Sequence, residues 1–582
     1  MATTNQALTG YPSIDKPWLK YYTEEAINAP LPECTIYEYV YTKNKDNLTN
    51  NAIDYFGHKY TYAQMFDEIE KTTRAYSQAG ICENDVVSIC SFTTPETIFS
   101  FYALNRLGAV CNIIEPRTSS ALIRDRINQT KSKILLVIDS FFHKIEPILD
   151  EINVEKIVVV NLSDAMPIAK KAVYFVKKFS HNSKVNYKAT LWRQFVAISN
   201  NTEEKIAPYR PGRPAAIIYT SGTTGIAKGA VFSDDCLTRL ELQCQTGNPR
   251  IYHGETFLNI MPPFIAYGMF FGLFFVFCAG HENILIPVTP PDRFYKFFLK
   301  HIPNHAVGVS THWEMLAQKC GEDADLSKLM CAITGGDRLS SQTEMGINEF
   351  FQKHGCSYHV QKGYGMTEMC SVVTFTQCEE VNEVGSVGIP LCKNIVMAVE
   401  PGTENELPYY QQGEICITGP SMMLGYYNNL TETNRTIWTH SDGKQWIHTG
   451  DFGYITDNGV LYIVDRIKRM IVRPDGHNVW PSVIENVLIR HPAVKECAVV
   501  GLPNPCGNNG KIPAAFVVLT PEWSEKTFQI ECELREMSLR EINERDAALL
   551  YYFIDEIPLT SVGKVDINKL ETGNWPIGEY KL

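Results

Sequence analysis

The sequence predicts an α/β protein: a large N-terminal region of parallel α/β layers with a small β-rich subdomain, followed by a small α+β C-terminal domain. Three observations predict it. First, short apolar runs alternate with helical patterns: Ile134–Ile138 (ILLVI), Lys156–Val160 (KIVVV), Ala215–Tyr219 (AAIIY) and Cys331–Thr334 (CAIT). Runs this short and this apolar read as strands buried on both faces, as in parallel sheets covered by helices. Second, from about Gly413 the texture changes to glycine-punctuated segments, GEICITG, TGDFGYI and GVLYIVDRI, which read as more antiparallel strands. Third, a tail of about 115 residues follows Asp465-Arg466-Ile467-Lys468. It reads strand, helix (480–490), strand (498–500), strand (514–519), helix, strand (551–555). The chain is therefore divided at 1–465 and 466–582.

With 582 residues the chain is too long for one ordinary core. Its net charge of −12 argues against general nucleic-acid binding, which needs clustered Lys and Arg. The 17 cysteines are scattered and odd in number, with no CxxC pair, a pattern that fits reduced thiols in a cytoplasmic protein. The N-terminus, MATTNQALTGYPSIDKPW, is polar and lacks the apolar core of a secretory signal. The longest greasy stretch, 265–279 (IAYGMFFGLFFVFCA), falls short of the ~20 residues of a membrane span and reads as a buried core helix. Segment 165–179 (AMPIAKKAVYFVKKF) sets Ile168, Ala172, Phe175, Val176 and Phe179 near one helical face, flanked by lysines. Such a helix either packs on its own domain or makes weak peripheral contact with an anionic membrane. No stable membrane insertion is expected.

The most informative stretch is Tyr219 to Val231, YTSGTTGIAKGAV, directly after the strand AAIIY. A strand running into a loop of Gly, Ser and Thr frees backbone N–H groups to face an anion. The hydroxyls of Thr220, Ser221, Thr223 and Thr224, with Lys228, add donors and charge. The spacing is not that of a Walker A loop. Two glycines, four hydroxyls and a lysine within nine residues nevertheless favour phosphate over a plain turn.

In this stretch the sequence resembles the adenylate-forming superfamily of acyl-CoA synthetases, peptide-synthetase adenylation domains and luciferases. Further motifs follow in the family's order: GGDRL (335–339), GYGMTE (363–368), TGD (449–451), DRIKRMI (465–471), GHNVWPSVIE (476–485) and PLTSVGKVD (558–566). The resemblance covers about residues 50–572. It implies ATP, Mg²⁺ and CoA as the small molecules handled, and it implies roles residue by residue. Thr220, Ser221, Gly222, Thr223, Thr224, Gly225 and Lys228 would hold the β and γ phosphates, and Thr367 the α-phosphate. Glu368, with Thr220, would hold Mg²⁺, which favours hard oxygen ligands. Tyr364 would stack against adenine, bordered by Gly336 and Asp337, and Gly365 would belong to the same nucleotide site. Asp451, assisted by Arg466, would take the ribose hydroxyls, although TGDFG is also good turn chemistry. Lys564 would bridge the acid oxygen and the α-phosphate during adenylation, Lys468 would be the hinge about which a mobile C-terminal domain rotates, and Gly476 would line the thiol tunnel.

The acid is expected to be apolar. Ile265 stands where amino-acid-activating relatives carry an aspartate, and where many acyl- and aryl-CoA ligases carry a histidine. An ammonium buried there would lack a partner. Phe264, Ile265, Tyr267, Gly335, His312 and Trp313 are the candidate pocket residues. The tail looks more like free-standing CoA ligases than synthetase modules, so CoA is the expected acceptor. Loading an acyl carrier protein, activating an amino acid, and a non-catalytic nucleotide-binding scaffold stay open as alternatives at this point.

Overall fold

A computed structural model describes residues 8–168, 170–171, 189–197, 204–220, 227–247, 250–287, 293–504, 510–559 and 565–575. Most of segment 165–179, the loop residues Ser221–Ile226 and Lys564 lie outside the described residues. Where described, the amphipathic segment exposes Ile168 and anchors Lys170 Nζ to the Phe56 carbonyl oxygen.

The expected parallel runs form two large sheets. One has eight strands, ordered Gly425–Tyr426, Gly229–Ser233, Pro214–Tyr219, Val110–Ile113, Val86–Cys90, Ile134–Ile138, Lys156–Val160 and Ala189–Leu191. The other has nine, ordered Ile389–Pro390, Ser371–Phe375, Gln361–Met366, Cys331–Gly335, His305–Gly308, Thr256–Asn259, Glu282–Leu285, Asn51–Tyr55 and His58–Thr61. Inner neighbours run parallel; antiparallel strands close both edges of the nine-stranded sheet and one edge of the eight-stranded sheet, whose other edge strand, Ala189–Leu191, pairs parallel. Such sheets are buried on both faces, hence the near-continuous Val/Ile/Leu runs.

Between the two sheets, helices Tyr62–Gln78 and Pro95–Leu107 share one apolar cluster with residues 266–279. On the far face of the nine-stranded sheet, helices Phe294–His301, Ser310–Lys319 and Ser341–Lys353 build a second cluster around Leu258, Ala306 and Ala332. Side chains alternate along a strand. Phe257, Val307 and Ile333 therefore face the first cluster while their neighbours face the second.

The greasy stretch is the expected core helix, but not a regular one. It is α-helical over Ala266–Met269, π-helical over Phe270–Phe275 and α-helical again over Val276–Cys278, and it is buried throughout except at the half-buried Ile265 and Tyr267. Its glycines permit close approach. A Cβ on Gly268 would lie 1.9 Å from the Pro262 carbonyl oxygen. At Gly272 the side chain of Asn259 occupies the space of a Cβ, and the Gly272 carbonyl accepts from the amides of Asn259 (3.3 Å) and Asn283 (3.0 Å). Widened turns of this kind recur at functional sites.

The β-rich part is a five-stranded antiparallel sheet of Ile395–Val399, Gly413–Thr418, Gln445–Ile455, Ile437–Thr439 and Leu461–Arg466. Beyond Arg466 the chain forms a short 3₁₀ turn, Ile467–Arg469, then the separate C-terminal domain. There Val494–Pro503, Lys511–Leu519 and Leu550–Phe553 form a three-stranded sheet. Helices Pro481–Leu488 and Thr527–Glu541 share one apolar cluster with it, and Leu570 of helix Ile567–Thr572 joins the other. The first two strands outrun their expected spans because antiparallel pairing continues from Val494 to Pro503. Helix Pro481–Leu488 is shorter than expected, with Trp480 as its N-terminal cap residue and Pro481 fixing the first turn.

No described helix is long and apolar enough to cross a membrane, and the described cysteines are all free.

Candidate active site

Strands Cys331–Gly335 and Gln361–Met366 run parallel, with Gly335 opposite Gly363. Gly335, Gly336 and Tyr364 therefore emerge side by side at the C-terminal edge of the sheet, where open α/β sheets place their ligands. Tyr267 reaches the same edge. Its ring lies 3.8 Å from where a Cβ on Gly335 would sit, and its hydroxyl donates to the Gly308 carbonyl at 3.3 Å.

From the β-rich sheet, Asp451 and Arg466 face each other in register on adjacent antiparallel strands. Arg466 Nε lies 2.8 Å from Asp451 Oδ1, and the Tyr364 hydroxyl donates to Asp451 Oδ2 at 2.6 Å. Asp451 is only 2 % exposed. Burial pushes its carboxyl upward from the usual range while the Arg466 guanidinium and the Tyr364 bond pull it down. Asp451 in turn raises Arg466, and burial together with Asp451 raises the Tyr364 phenol. The result is an oriented acceptor beside an aromatic ring.

The phosphate-loop candidate is carried on the hairpin of Pro214–Tyr219 and Gly229–Ser233. At its base, Thr220 N–H donates to the Lys228 carbonyl at 2.9 Å and Lys228 N–H to Thr220 Oγ1 at 3.4 Å. Ser221, Gly222, Thr223, Thr224 and Gly225 lie outside the described residues. Lys228 pairs with Glu432 and sits 5.0 Å over the ring of Tyr426, whose hydroxyl donates to Glu368 Oε1 at 2.5 Å. Thr367 and Glu368 form a 3₁₀ turn directly after Gly365 and Met366, and the Glu368 carbonyl accepts from Met423 N–H at 2.9 Å. Hairpin and acidic turn are thus joined through Tyr426. Sequence reasoning missed Tyr426 because a Tyr-Tyr pair in LGYYNN carries no specific signal.

The candidate pocket residues divide. Phe264 is buried, edge-on to Phe92 (6.0 Å) and beneath the Arg117 guanidinium (5.4 Å). Ile265 is half-buried at the start of the core helix. Trp313 requires correction. It has no exposed surface and packs edge-on against Phe294, Phe298 and Phe351 in the cluster on the far face of the sheet. It donates to the Ile333 carbonyl at 3.2 Å and is a core residue, not a pocket wall. His312 turns to the same side, its ring against Phe294 (5.1 Å) and its Nδ1 accepting from Val309 N–H (3.1 Å). Burial lowers its pKa to about 4, so the ring is neutral. On the near face, an apolar cavity runs among Phe257, Phe271, Phe275, Ile333, Val372 and Phe375.

The C-terminal domain is held by the same region. Arg338, next to Asp337, lies 3.4 Å from Glu485 and donates to the Ser482 carbonyl at 3.3 Å. Asp465 accepts from Ser482 N–H at 2.9 Å, and Trp480 stacks on Phe452 at 4.4 Å. Lys468 sits in the turn between sheet and domain, and Gly476 (φ +78°) in the turn joining strands Ile471–Val472 and Asn478–Val479. Arg338 and Glu485 were within recognised motifs, but their pairing had no sequence signal.

Residues 42–427 match the AMP-binding enzyme family, and residues 483–564 match the AMP-binding enzyme C-terminal domain. The chain is 28% identical over 573 residues to a probable 4-coumarate–CoA ligase 1 of Dictyostelium discoideum, covering 96% of this chain and 98% of that protein. It is 26% identical over 562 residues to a long-chain-fatty-acid–CoA ligase of Bacillus subtilis, covering 94% and 96%. The fold is shared with an anthranilate CoA ligase solved in complex with anthranoyl-AMP, at a TM-score of 0.78 and 20% identity over 93% of this chain and 97% of that one.

Proposed function

Because the chain belongs to the AMP-binding enzyme family, we propose that it is an ATP-dependent ligase joining a hydrophobic fatty or aryl acid to the thiol of CoA through an acyl-adenylate. The observation that carries this reading is the convergence of Tyr364, Asp451 and Arg466 with Glu368, Tyr426 and Lys228 where the two large sheets meet the five-stranded one. These six residues come from five separate segments, Tyr364 and Glu368 sharing one, and together they offer an aromatic ring, acidic acceptors and cations suited to a nucleotide's sugar and phosphates.

A carboxylate lacks a leaving group. Its oxygen attacks the α-phosphorus of ATP, the bond from that phosphorus to the bridging oxygen breaks, and pyrophosphate leaves. The CoA sulfur, giving up its proton, then attacks the acyl carbon and AMP departs. Asp451 takes the ribose hydroxyls, Arg466 fixes its orientation, and Tyr364 and Gly365 face the adenine with Gly336 and Asp337 at its border. Thr220 to Lys228 hold the terminal phosphates and Thr367 the α-phosphate. Glu368, a hard oxygen donor oriented by Tyr426, would hold Mg²⁺ with Thr220; when bound, that ion neutralises charge on the phosphate oxygens. Phe264, Ile265 and Tyr267 offer an acid no carboxylate partner for an ammonium, which favours apolar acids. The domain beyond about residue 466 turns about Lys468 between the steps, with Lys564 serving adenylation and the Gly476 turn the thiol.

The test is AMP and pyrophosphate release over a panel of fatty, aryl and amino acids, with and without CoA. AMP is expected only with an apolar acid, and thioester only when CoA is added. If no acid elicits AMP from the pure protein, the proposal fails.

A further inference from the structure

At the opposite, N-terminal edge of the nine-stranded sheet, three side chains that catalysis does not use come together. Glu255 precedes strand Thr256–Asn259, His281 precedes Glu282–Leu285, and His305 opens His305–Gly308. Register pairs Thr256 with Glu282, which sets Glu255 beside His281, and pairs Phe257 with His305, two residues further along. Side chains two apart share a face, so all three project to the same side of the sheet.

The two imidazoles lie stacked, 4.5 Å between centroids and 9° between planes. His305 Nε2 is 2.7 Å and His281 Nε2 3.9 Å from the same Glu255 oxygen, Oε2. The three donor atoms all lie within 4.8 Å of one another. A second observation is independent of that clustering. His281 is 0% exposed, and its ring nitrogens have the Glu255 carboxylate at 3.9 Å and the Tyr252 backbone nearby but make no hydrogen bond of good geometry with either. A buried imidazole left so is costly, and a native fold rarely keeps one without a reason.

We propose that Glu255, His281 and His305 bind one divalent transition cation of the zinc class. Two imidazole nitrogens and a carboxylate oxygen are the ligand set such ions take, with a solvent molecule at the fourth, tetrahedral position; binding turns one of the two stacked rings about its Cβ–Cγ bond, because parallel planes cannot both direct a nitrogen lone pair at one ion. Calcium and magnesium, which require mainly oxygen ligands, do not suit it. Glu255, 15% exposed, gives the ion its route in. The ion would satisfy the orphaned His281 nitrogen and tie three strand ends together beneath Phe257. That ring stacks on His281 at 6.3 Å and lines the apolar cavity with His305, so the ion would brace the cavity's floor.

The full chain, stripped by a chelating resin, is titrated with Co²⁺ and then Zn²⁺. One Co²⁺ per chain is expected, with the intense visible absorption of a tetrahedral site, displaced by Zn²⁺, which raises the melting temperature. His281→Phe preserves the ring stack on Phe257 and should weaken Zn²⁺ binding at least about 100-fold, since metal affinity here rests on three protein ligands. His305→Gln and Glu255→Gln should do the same, and circular dichroism identifies any variant that fails to fold. Equal Zn²⁺ binding by wild type and folded variants would locate the ion elsewhere, for example on exposed thiols, and overturn the proposal. So would the absence of stoichiometric binding by the wild type.

Discussion

At the scale of single residues, Asp451 is the most demanding position of the candidate site. A carboxylate 2 % exposed is held by one guanidinium and one phenol, and both bonds arrive with fixed geometry. Asp451→Asn keeps the shape but turns one acceptor into a donor, facing either Arg466 or Tyr364 with the wrong polarity. Hydrogen bonds to charged groups contribute about 1.5–3 kcal/mol. The KM for ATP should therefore rise by about 10- to 100-fold, with a smaller change in melting temperature. An unchanged KM for ATP would remove Asp451 from the nucleotide site. Asp451 was legible in the sequence because TGD recurs with its neighbours in a known order. Tyr426 was not: its link to Glu368 spans 58 residues and depends on the short edge strand Gly425–Tyr426 pairing with Ala230 and Val231.

At the scale of elements, the core helix determines how closely the acid-binding region packs. Residues 265–279 were legible as a buried helix from apolarity and length. The π-helical turns over Phe270–Phe275 were not, since they depend on Asn259 and Asn283 meeting the Gly272 carbonyl from two neighbouring strands. Gly268 is the strictest position. A Cβ there would lie 1.9 Å from a backbone oxygen that cannot rotate away. Gly268→Ala should lower unfolding free energy by at least about 2 kcal/mol in urea denaturation, in the range of overpacked cores. A loss below about 0.5 kcal/mol would mean that the helix start is looser than this packing implies.

At the scale of the molecule, the proposed two-step reaction needs one small domain to serve two chemistries. Proline restricts φ and removes an N–H donor, so Lys468→Pro should hinder the turn between domains. Acid-dependent pyrophosphate exchange should survive in that variant while thioester synthesis falls at least about tenfold. Lys564→Ala should do the reverse, losing adenylation by about 10²-fold or more, as when a charge-stabilising donor is removed. Equal damage to both steps in both variants would contradict the domain rotation. The sequence by itself determined the layers, the core helix, the β-rich part and the nucleotide motifs, because periodicity, glycine placement and motif order are local properties of the chain. Only the tertiary structure decided that Trp313 belongs to the far-face core, that Tyr426 joins Lys228 to Glu368, and that Arg338 reaches Glu485. It alone also gathered Glu255, His281 and His305, which lie 24 to 50 residues apart in the chain. Strand register sets those meetings, and register follows from the packing of whole sheets, which no short window of sequence contains.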